Sequence, residues 1–375
     1  MRYMDLTKLR VQPLANRKSL SRLEDVLVEP ASEPPPISKK LSDTLDDCAR
    51  RILNARRVGA GVMLIYGAHL IKNGGQLIIA QMIDHGWVTH LATNGAGSIH
   101  DWEFSYHGRS TESVRENVAT GTFGAWDETG RFIHLALLAG GLRSEGYGAA
   151  LGRFVYEDGC TLPSVEELAR MIREQPGDAL TPARADLLLA MKTHNINSGR
   201  HLVNHRWRNA SVLANAFRHE VPLTVHPGIG YDIITNHPMF NGAVIGRAAA
   251  IDFGRFAASV DTLDNGVVLS VGTAIMGPQV FEKSMSCVNN LRLQQGKQTV
   301  SGHTIYVVDL QDGGGWDWKS GEPPRDQPAY YLRFCKSYAR MGGEMVYAQC
   351  DNIAFLHNLC HRLSTISPKR TAAKS

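Results

Sequence analysis

A loop and a lysine toward the C-terminal end of the chain combine residue types that suit amine chemistry. The loop, DLQDGGGWDW at residues 309–318, mixes carboxylates with indole rings. Carboxylates pair with ammonium groups and aromatic ring faces attract cations, so this loop could bind an amine. A polar loop whose tryptophans anchor it to a core would have the same composition. The candidate substrate ligands are Asp312, Trp316 and Asp317.

Lys336 follows this loop in the sequence YYLRFCK, where its neighbours are aromatic and apolar. A lysine that loses hydration has a lowered pKa, and its neutral amine is a nucleophile that can form an imine. A surface lysine whose methylene stem lies along apolar side chains fits the same pattern. Spacing alone leaves both interpretations open.

Glycine-rich turns follow several predicted strands. The turn at residues 93–97 is the most informative, because glycine directly after a strand lets backbone N–H groups approach a pyrophosphate. It lacks the third glycine of the common GxGxxG fingerprint, and glycines that serve as ordinary connectors are the alternative. The turns supply the candidate nucleotide contacts, which are Asn73, Gly74, Thr93, Asn94, Gly95, Ala96, Gly97, Gly272 and Thr273.

These turns need a sheet to bring them together, and the hydrophobic pattern predicts one. An apolar strand at 62–66, an amphipathic helix and a second strand at 87–92 form a βαβ unit. Alternation of strands and helices continues to residue 362, which predicts a doubly wound, mostly parallel, Rossmann-like α/β fold. We expect residues 1–40 to form a flexible arm, 41–365 a single large domain, and 366–375 a disordered basic tail.

Composition argues against several other classes of protein. No apolar run has membrane-spanning length and the N-terminus lacks an apolar signal core, so we expect a cytoplasmic protein. The net charge of +4 comes from scattered basic residues, which argues against a nucleic-acid partner. The six cysteines form no CxxC pair and are expected to be reduced thiols. We expect no metal site, since the histidine-rich stretch at 194–205 lacks metal-ligand spacing and is predicted to be a polar loop.

Residues 70–101, LIKNGGQLIIAQMIDHGWVTHLATNGAGSIHD, resemble the cofactor-binding region of deoxyhypusine synthase. The likeness runs in order through most of residues 60–360, and Phe334-Cys335-Lys336 is similar to the family's Trp-Gly-Lys. The resemblance implies a homotetramer that binds NAD and transfers an aminobutyl group from spermidine or a related polyamine. The family's lysine holds that group as an imine before an acceptor amine takes it, and the acceptor would be a free amine or a protein lysine.

The resemblance also assigns roles to residues. Lys336 falls at the position of the catalytic lysine, Thr93, Gly95 and Ala96 fall on the NAD-binding turn, and Asp101 is kept beside it. Asp232 matches a substrate-binding aspartate, while Asp312 and Asp317 match acids of the loop before the lysine.

The chain also departs from the family pattern. The paired glutamates after the turn are Ile99 and His100, and the family's histidine pair is replaced by Gly277 and Pro278. The general base is therefore open among His100, His219 and His226, and we take His100 as the catalytic candidate.

Two further functions fit the same residues. The chain could bind NAD without transferase chemistry and serve as a sensor or scaffold. It could also hydrolyse or dehydrogenate a small molecule, since one fold hosts many reactions.

Overall fold

The structure is a computed structural model that describes residues 4–366. It divides into two compact units. The described part of the first comprises 4–26, 98–218 and 223–252, and that of the second comprises 27–97, 219–222 and 253–366. The predicted tail lies outside the described residues except for Ile366, which ends a helix. Among residues 4–366, no helix has both the length and the apolar character needed to cross a bilayer.

Ten strands lie in the described part of the chain. In chain order they are β1 (Ser21–Arg22), β2 (Val62–Tyr66), β3 (His90–Asn94), β4 (Arg109–Ser110), β5 (Gly159–Leu162), β6 (Gly199–Leu202), β7 (Leu223–His226), β8 (Val267–Val271), β9 (Thr304–Asp309) and β10 (Glu344–Gln349).

Fifteen α-helices accompany these strands between residues 4 and 366. They are α1 (Leu23–Val26), α2 (Lys39–Arg57), α3 (Ala68–Lys72), α4 (Gln76–Asp84), α5 (Gly95–His107), α6 (Val114–Thr120), α7 (Asp127–Gly141), α8 (Tyr147–Tyr156), α9 (Val165–Glu174), α10 (Thr181–His194), α11 (Val212–Arg218), α12 (Gly242–Val260), α13 (Met276–Gln294), α14 (Arg333–Ala339) and α15 (Asn352–Ile366).

Five strands of the second unit lie side by side in the order β10-β9-β8-β2-β3, and every neighbouring pair is parallel. Leu64 at the centre of β2 lies between Leu91 and Leu269. Strands β2 and β8 are buried along their whole length, which explains why they are continuous apolar runs without alternation. The predicted mostly parallel α/β sheet is therefore confirmed.

Helices cover both faces of these strands. Ile305 points toward one face, where the core includes Phe281 of α13 and Tyr338 of α14. The next residue, Tyr306, points to the opposite face, where its hydroxyl donates to Asp47 of α2 at 2.7 Å. Helix α15 packs beside α2. Helices on both faces make the fold doubly wound, as predicted.

The first unit is mainly helical, and two short antiparallel strand pairs accompany its helices. Helix α8 packs against α7 and α11, and strand β1 pairs with β4 while β5 pairs with β6. The sequence places Ser164 three residues before Glu167, a spacing that predicts a capped helix over 164–174. Helix α9 confirms it, because Ser164 accepts a hydrogen bond from the Glu167 N–H at 3.0 Å. Strand β6 lies inside the stretch predicted to be a polar loop, because its backbone pairs with β5, a partner that precedes α9 and α10 in the chain and that the local sequence does not indicate.

The N-terminal segment differs from the expected flexible arm. Leu14 and Leu23 are buried in the first unit, and β1 pairs Ser21 with Ser110. Arg17 forms two hydrogen bonds with the Glu103 carboxylate, at 2.6 and 2.8 Å, and both side chains are 1% exposed. The polar residues of the segment include one half of a buried ion pair. Composition alone cannot distinguish such a segment from a solvated arm.

Removal of the Arg17 charge should destabilise the first unit strongly. Arg17→Met leaves Glu103 buried without its cation, and we expect a loss of about 3–5 kcal/mol in the free energy of unfolding. The matched control is Arg22→Met, because Arg22 lies in the same segment but forms an exposed pair with Glu24 at 3.6 Å. That change should cost less than about 1 kcal/mol. Urea unfolding followed by circular dichroism measures both values, and equal losses would contradict the buried-pair assignment.

Candidate functional site

Two glycine loops of the second unit touch through their backbones at the carboxyl ends of their strands. Gly67 follows β2 and Gly272 follows β8, and a Cβ atom on Gly67 would lie 1.9 Å from the Gly272 carbonyl oxygen. Gly272 itself has φ of 60°. A Cβ atom there would lie 2.2 Å from the Asn352 side-chain amide. Only glycine allows this contact, so the two loops and the start of α15 form one continuous edge.

Helix α5 begins directly at the end of β3. The structure places Thr93 and Asn94 in the strand and Gly95, Ala96 and Gly97 in the first helical turn, where the sequence predicted a loop. Asn94 accepts a hydrogen bond from the Gly97 N–H at 2.8 Å, which fixes the turn. A helix N-terminus carries a partial positive charge and is suited to bind an anionic group such as a pyrophosphate.

Asn73 and Gly74 link α3 to α4. Asn73 ends α3, and the Gly74 carbonyl accepts a hydrogen bond from the Val28 N–H at 3.0 Å. Gly74 has φ of 88°, a left-handed backbone conformation that glycine adopts more readily than other residues. On the edge after β8, Thr273 accepts a hydrogen bond from the Gly277 N–H at 3.0 Å. Local turn geometry therefore accounts for these residues, and their contact with a cofactor stays a prediction.

On this side of the second unit, the side-chain amide of Gln76 and the amide oxygen of Asn352 are buried without a hydrogen-bond partner among the described residues. The Gln76 side chain is buried, and neither its nitrogen nor its oxygen has a hydrogen-bond partner in the described part of the chain. The Asn352 amide oxygen is in the same state within residues 4–366. Their neighbours Gly75 and Ile353 approach closely, since a Cβ atom on Gly75 would lie 3.1 Å from the Ile353 Cδ1 atom. A buried amide without a partner costs free energy, which a bound polar ligand would recover.

The acidic-aromatic loop lines a cavity of about 660 Å³ in the second unit. Asp312, Trp316 and Asp317 all lie on its wall, together with Lys40 and Lys319. The structure thus brings the three predicted substrate ligands together. Both aspartates also stabilise the loop itself, because Asp312 accepts from the Gly314 N–H at 2.7 Å and Asp317 accepts from the Lys319 N–H at 3.2 Å.

The two tryptophans also anchor the loop to the core, which was the alternative explanation of its composition. Trp318 is buried in the core and donates its indole N–H to the Gly313 carbonyl at 3.0 Å, so it anchors the loop. Trp316 packs against the same core and donates to the Gly321 carbonyl at 2.9 Å, yet it still lines the cavity.

Lys336 lies on α14 and does not line this cavity in the described structure. Its ammonium nitrogen lies 3.5 Å from the centroid of the Tyr330 ring. The charge of Lys336 lowers the pKa of the Tyr330 hydroxyl. The cation–π contact places the lysine beside an aromatic residue, as the sequence indicated, and its catalytic role stays a prediction.

Asp101 of the first unit caps helix α11. Its carboxylate accepts hydrogen bonds from the Ser211 hydroxyl at 2.6 Å, the Val212 N–H at 2.9 Å and the Leu213 N–H at 3.1 Å. Burial raises the pKa of this carboxyl group to about 6 although these donors oppose the shift. The cap explains why an acid is needed here, and the predicted contact of Asp101 with a cofactor remains untested.

Asp232 is a buried residue at the end of a loop of the first unit. Its carboxylate accepts a hydrogen bond from the Gly228 N–H at 2.8 Å, and burial raises its pKa to about 6. A carboxyl group that titrates near neutral pH can exchange a proton with an amine, which is compatible with the predicted substrate-binding role.

The three candidate bases have different surroundings. His219 Nε2 lies 3.0 Å from a carboxylate oxygen of Asp84. His226 is buried beside the Thr224 hydroxyl at 3.1 Å, and burial lowers its pKa to about 4. His100 contacts the Ser110 hydroxyl through Nδ1 at 2.7 Å.

Behind His100 lies a network that the sequence did not reveal. Ser110 donates to Glu103 at 2.6 Å, and Glu103 also accepts from Arg17 and from the Thr129 hydroxyl. The spacing of His100 and Glu103, three residues apart on α5, is the one signal that could have found part of it. Among residues 4–366, no three histidine, cysteine or acidic side chains are grouped so that they could hold a metal ion.

No protein-family model matches the chain, and no curated protein matches it. Solved structures are similar at low identity. The ternary complex of AgrE with ornithine and NAD⁺ is 15% identical with a TM-score of 0.44, and the match covers 88% of this chain. The chain spans 34% of the length of AgrE.

Two further solved structures are similar at lower identity and lower TM-score. A conserved LOR/SDH protein from Methanococcus maripaludis S2 is 13% identical with a TM-score of 0.42, and the match covers 90% of this chain and 74% of that one. A proposed deoxyhypusine synthase from Entamoeba histolytica is 10% identical with a TM-score of 0.34, and the match covers 82% of this chain and 76% of that one. Identities and TM-scores in this range assign no activity to the chain.

The raised pKa of Asp101 predicts that the stability of the chain depends on pH. Because the folded carboxyl group holds its proton up to about pH 6 rather than 3.8, its contribution to stability is present at low pH and is lost as the pH rises through 6. Asp101→Asn keeps an oxygen for the cap but does not titrate. The stability of the native chain relative to this variant should fall by about 2–3 kcal/mol between pH 4 and 7.

Urea unfolding of both proteins at four pH values measures the effect. Asp178→Asn is the control, because Asp178 also accepts from a backbone N–H, that of Leu180, but its pKa is lowered. Its pH dependence should have the opposite sign. A difference for Asp101→Asn that stays constant from pH 4 to 7 would be incompatible with a buried titrating cap.

Proposed function

We propose that the chain is an NAD-dependent enzyme that acts on an amine, and that the reaction is aminoalkyl transfer through Lys336. The N-terminus of α5 at the end of β3 carries the cofactor half of this proposal. The glycine contact between the loops after β2 and β8 supports it as well, since the backbone there leaves no side chain in the way. The buried amide of Gln76 and the buried amide oxygen of Asn352 supply hydrogen-bonding groups that have no partner among the described residues.

The residues present suit NAD. Backbone N–H groups of the first turn of α5 would face the pyrophosphate, and the Gln76 and Asn352 amides would take polar groups of the nucleotide. When bound, NAD would accept a hydride from the carbon beside the amine nitrogen and return it later.

The cavity of the acidic-aromatic loop supports an amine as the substrate. Asp312 and Asp317 would bind ammonium groups, and the ring of Trp316 would attract the same charge. Asp232 would bind another ammonium group, as the family resemblance implies. The acceptor would be a free amine or a protein lysine, and the chain would act as a homotetramer.

Lys336 would then serve as the nucleophile. Its neutral amine would add to the imine carbon of the oxidised substrate, and cleavage of the original carbon–nitrogen bond would release the remaining part as an amine. The acceptor amine would next displace Lys336 from the carbon, and the returning hydride would reduce the new imine. His100 is the proposed base for the first proton.

A second candidate function is NAD binding without transfer, in a sensor or scaffold. The position of Lys336 favours it, because the ammonium group stacks on Tyr330 and lies outside the wall of the cavity formed by the acidic loop.

NAD binding can be tested at the first turn of α5. Ala96→Glu adds a negative charge where the pyrophosphate would lie, while an acid in the first turn is compatible with the helix. Ala96→Gln adds nearly the same volume without charge and is the matched control. We expect the glutamate to weaken NAD binding at least tenfold more than the glutamine does, as measured by calorimetry. Equal effects would remove the anion site from the proposal.

Imine formation can be tested by reduction with borohydride. The protein is incubated with NAD and spermidine, putrescine or agmatine, treated with borohydride, and digested for mass spectrometry. An adduct is expected on Lys336 and not on Lys319, which lies on the cavity wall. Lys336→Arg keeps the cation but forms no imine, so the adduct should disappear, whereas Lys319→Arg should retain it. NAD binding without any adduct would instead support the sensor or scaffold.

A further inference from the structure

A cavity in the first unit takes no part in the proposed reaction. It has a volume of about 380 Å³ and is lined by residues of α7, α10 and the N-terminal end of α12. Its buried floor includes His134, Leu138, Met239 and Val244, whereas Thr193 is exposed at its rim. Pockets that bind small molecules have volumes from about 300 Å³ upward, with mostly apolar walls and few polar groups. The cavity has the size and the lining of such a pocket.

The His134 ring on the cavity floor has a defined tautomer. Its Nδ1 atom lies 2.7 Å from the Gly130 carbonyl oxygen. A carbonyl oxygen only accepts hydrogen bonds, so Nδ1 must carry the proton. Burial lowers the pKa of His134 to about 4, and the ring is therefore neutral at physiological pH. The Nε2 atom then holds a lone pair and acts only as an acceptor.

This Nε2 atom is a buried acceptor without a donor. His134 is 1% exposed, and its Nε2 atom has no hydrogen-bond partner in the described part of the chain. The neighbouring His237 ring has other contacts, because its Nδ1 accepts from the Met239 N–H at 3.1 Å and its Nε2 lies 3.5 Å from a carboxylate oxygen of Asp127. A buried polar atom without a partner costs free energy, which a donor placed in the cavity would recover.

The cavity offers no fixed charge to a ligand. Within residues 4–366, no aspartate, glutamate, lysine or arginine side chain lines it. His194 lies half-buried on its wall, and burial lowers the pKa of that ring. An ammonium group would therefore lose its hydration without gaining a carboxylate, and an anion would gain no cation. These conditions favour a neutral ligand.

The apolar part of the lining favours an aromatic ligand. The Phe240 ring lies 6.0 Å from the His134 ring at an interplanar angle of 87°. Met239 lines the same cavity. Aromatic rings pack favourably against phenylalanine rings and against the polarisable sulfur of methionine.

We propose that this cavity binds a neutral aromatic molecule with one N–H or O–H donor, and that this donor forms a hydrogen bond to Nε2 of His134. The ring of the ligand packs against Phe240 and Met239. Binding is reversible and changes no covalent bond. None of the residues proposed to hold NAD or the amine lines the cavity, so the site does not depend on the proposed function and gives the chain a second kind of ligand.

The hydrogen bond can be tested with two probes of equal size. Indole has a ring N–H, whereas benzofuran has an oxygen at the same position and donates no hydrogen bond. Calorimetry on the full chain should show that indole binds at least about tenfold more tightly than benzofuran, because only indole supplies a donor to His134. Equal affinities for the two probes, or no binding of indole, would overturn the proposal.

His134→Phe removes the acceptor and keeps an aromatic ring. The variant should bind the two probes with equal affinity. His205→Phe is the matched control, because His205 is also a buried histidine of the first unit whose pKa burial lowers to about 4, but it does not line the cavity. The control should keep the native preference for indole. A preference that survives in folded His134→Phe contradicts the role of His134, and thermal unfolding shows whether each variant is folded.

Nitrogen-15 NMR tests the same hydrogen bond in the unsubstituted chain. In histidine-labelled protein at neutral pH, the Nε2 resonance of His134 should shift when indole is added and should shift much less with benzofuran. Histidine resonances that stay unchanged at saturating indole would be incompatible with the proposal. This measurement decides the question even if His134→Phe does not fold.

The location of the site can be tested on α10. Ala190 lines the cavity, so Ala190→Trp should obstruct it and weaken indole binding at least about tenfold. Ala185→Trp adds the same side chain at an exposed position of the same helix that does not line the cavity, and it should leave the affinity unchanged. Equal effects of the two changes would overturn the assignment of indole to this cavity. NAD binding should be the same in both variants.

Discussion

Parallel strands place all their carboxyl ends at one edge, and this constraint governs the second unit. Every neighbouring pair in the order β10-β9-β8-β2-β3 is parallel, so the loops after these strands emerge on the same side. The loops after β2 and β8 then meet backbone to backbone, which requires Gly67 and Gly272. Helix α5 starts from the same edge. A polar, glycine-rich rim is thus the consequence of strand direction, and the proposal of nucleotide binding rests on it.

A buried charge organises the first unit in a comparable way. Glu103 lies among apolar helices and is stable there only because Arg17 and two hydroxyls satisfy it. Because Arg17 pairs with Glu103, the N-terminal segment packs into the core. Because Ser110 donates to the same carboxylate, β4 is held in register. A charge that is costly to bury thereby links elements far apart in the chain, and His100 contacts it through Ser110.

The sequence predicted the strands and helices well and the roles of individual residues less well. Continuous apolar runs identified β2 and β8 because strands buried on both faces need no polar alternation. The helix capped by Ser164 was equally readable, since capping is a local interaction. Asp101 was different: the family resemblance suggested a cofactor contact, whereas its carboxylate caps α11, a helix that starts 111 residues later in the chain. Lys336 likewise lies beside aromatic residues as expected, but against Tyr330 and outside the acidic cavity.

By itself the sequence determined the fold class, the glycine turns and the acidic-aromatic composition of the loop that contains Asp312, Trp316 and Asp317. These features depend on periodicity and on residue chemistry over short distances, which a linear pattern records. Only the tertiary structure decided that Arg17 pairs with Glu103, that the Gln76 amide is buried without a partner among residues 4–366, and that Ser110 contacts His100. Those facts depend on burial and on contacts between distant segments. A polar residue is hydrated on a surface, whereas its burial in a core costs free energy unless a specific partner lies beside it.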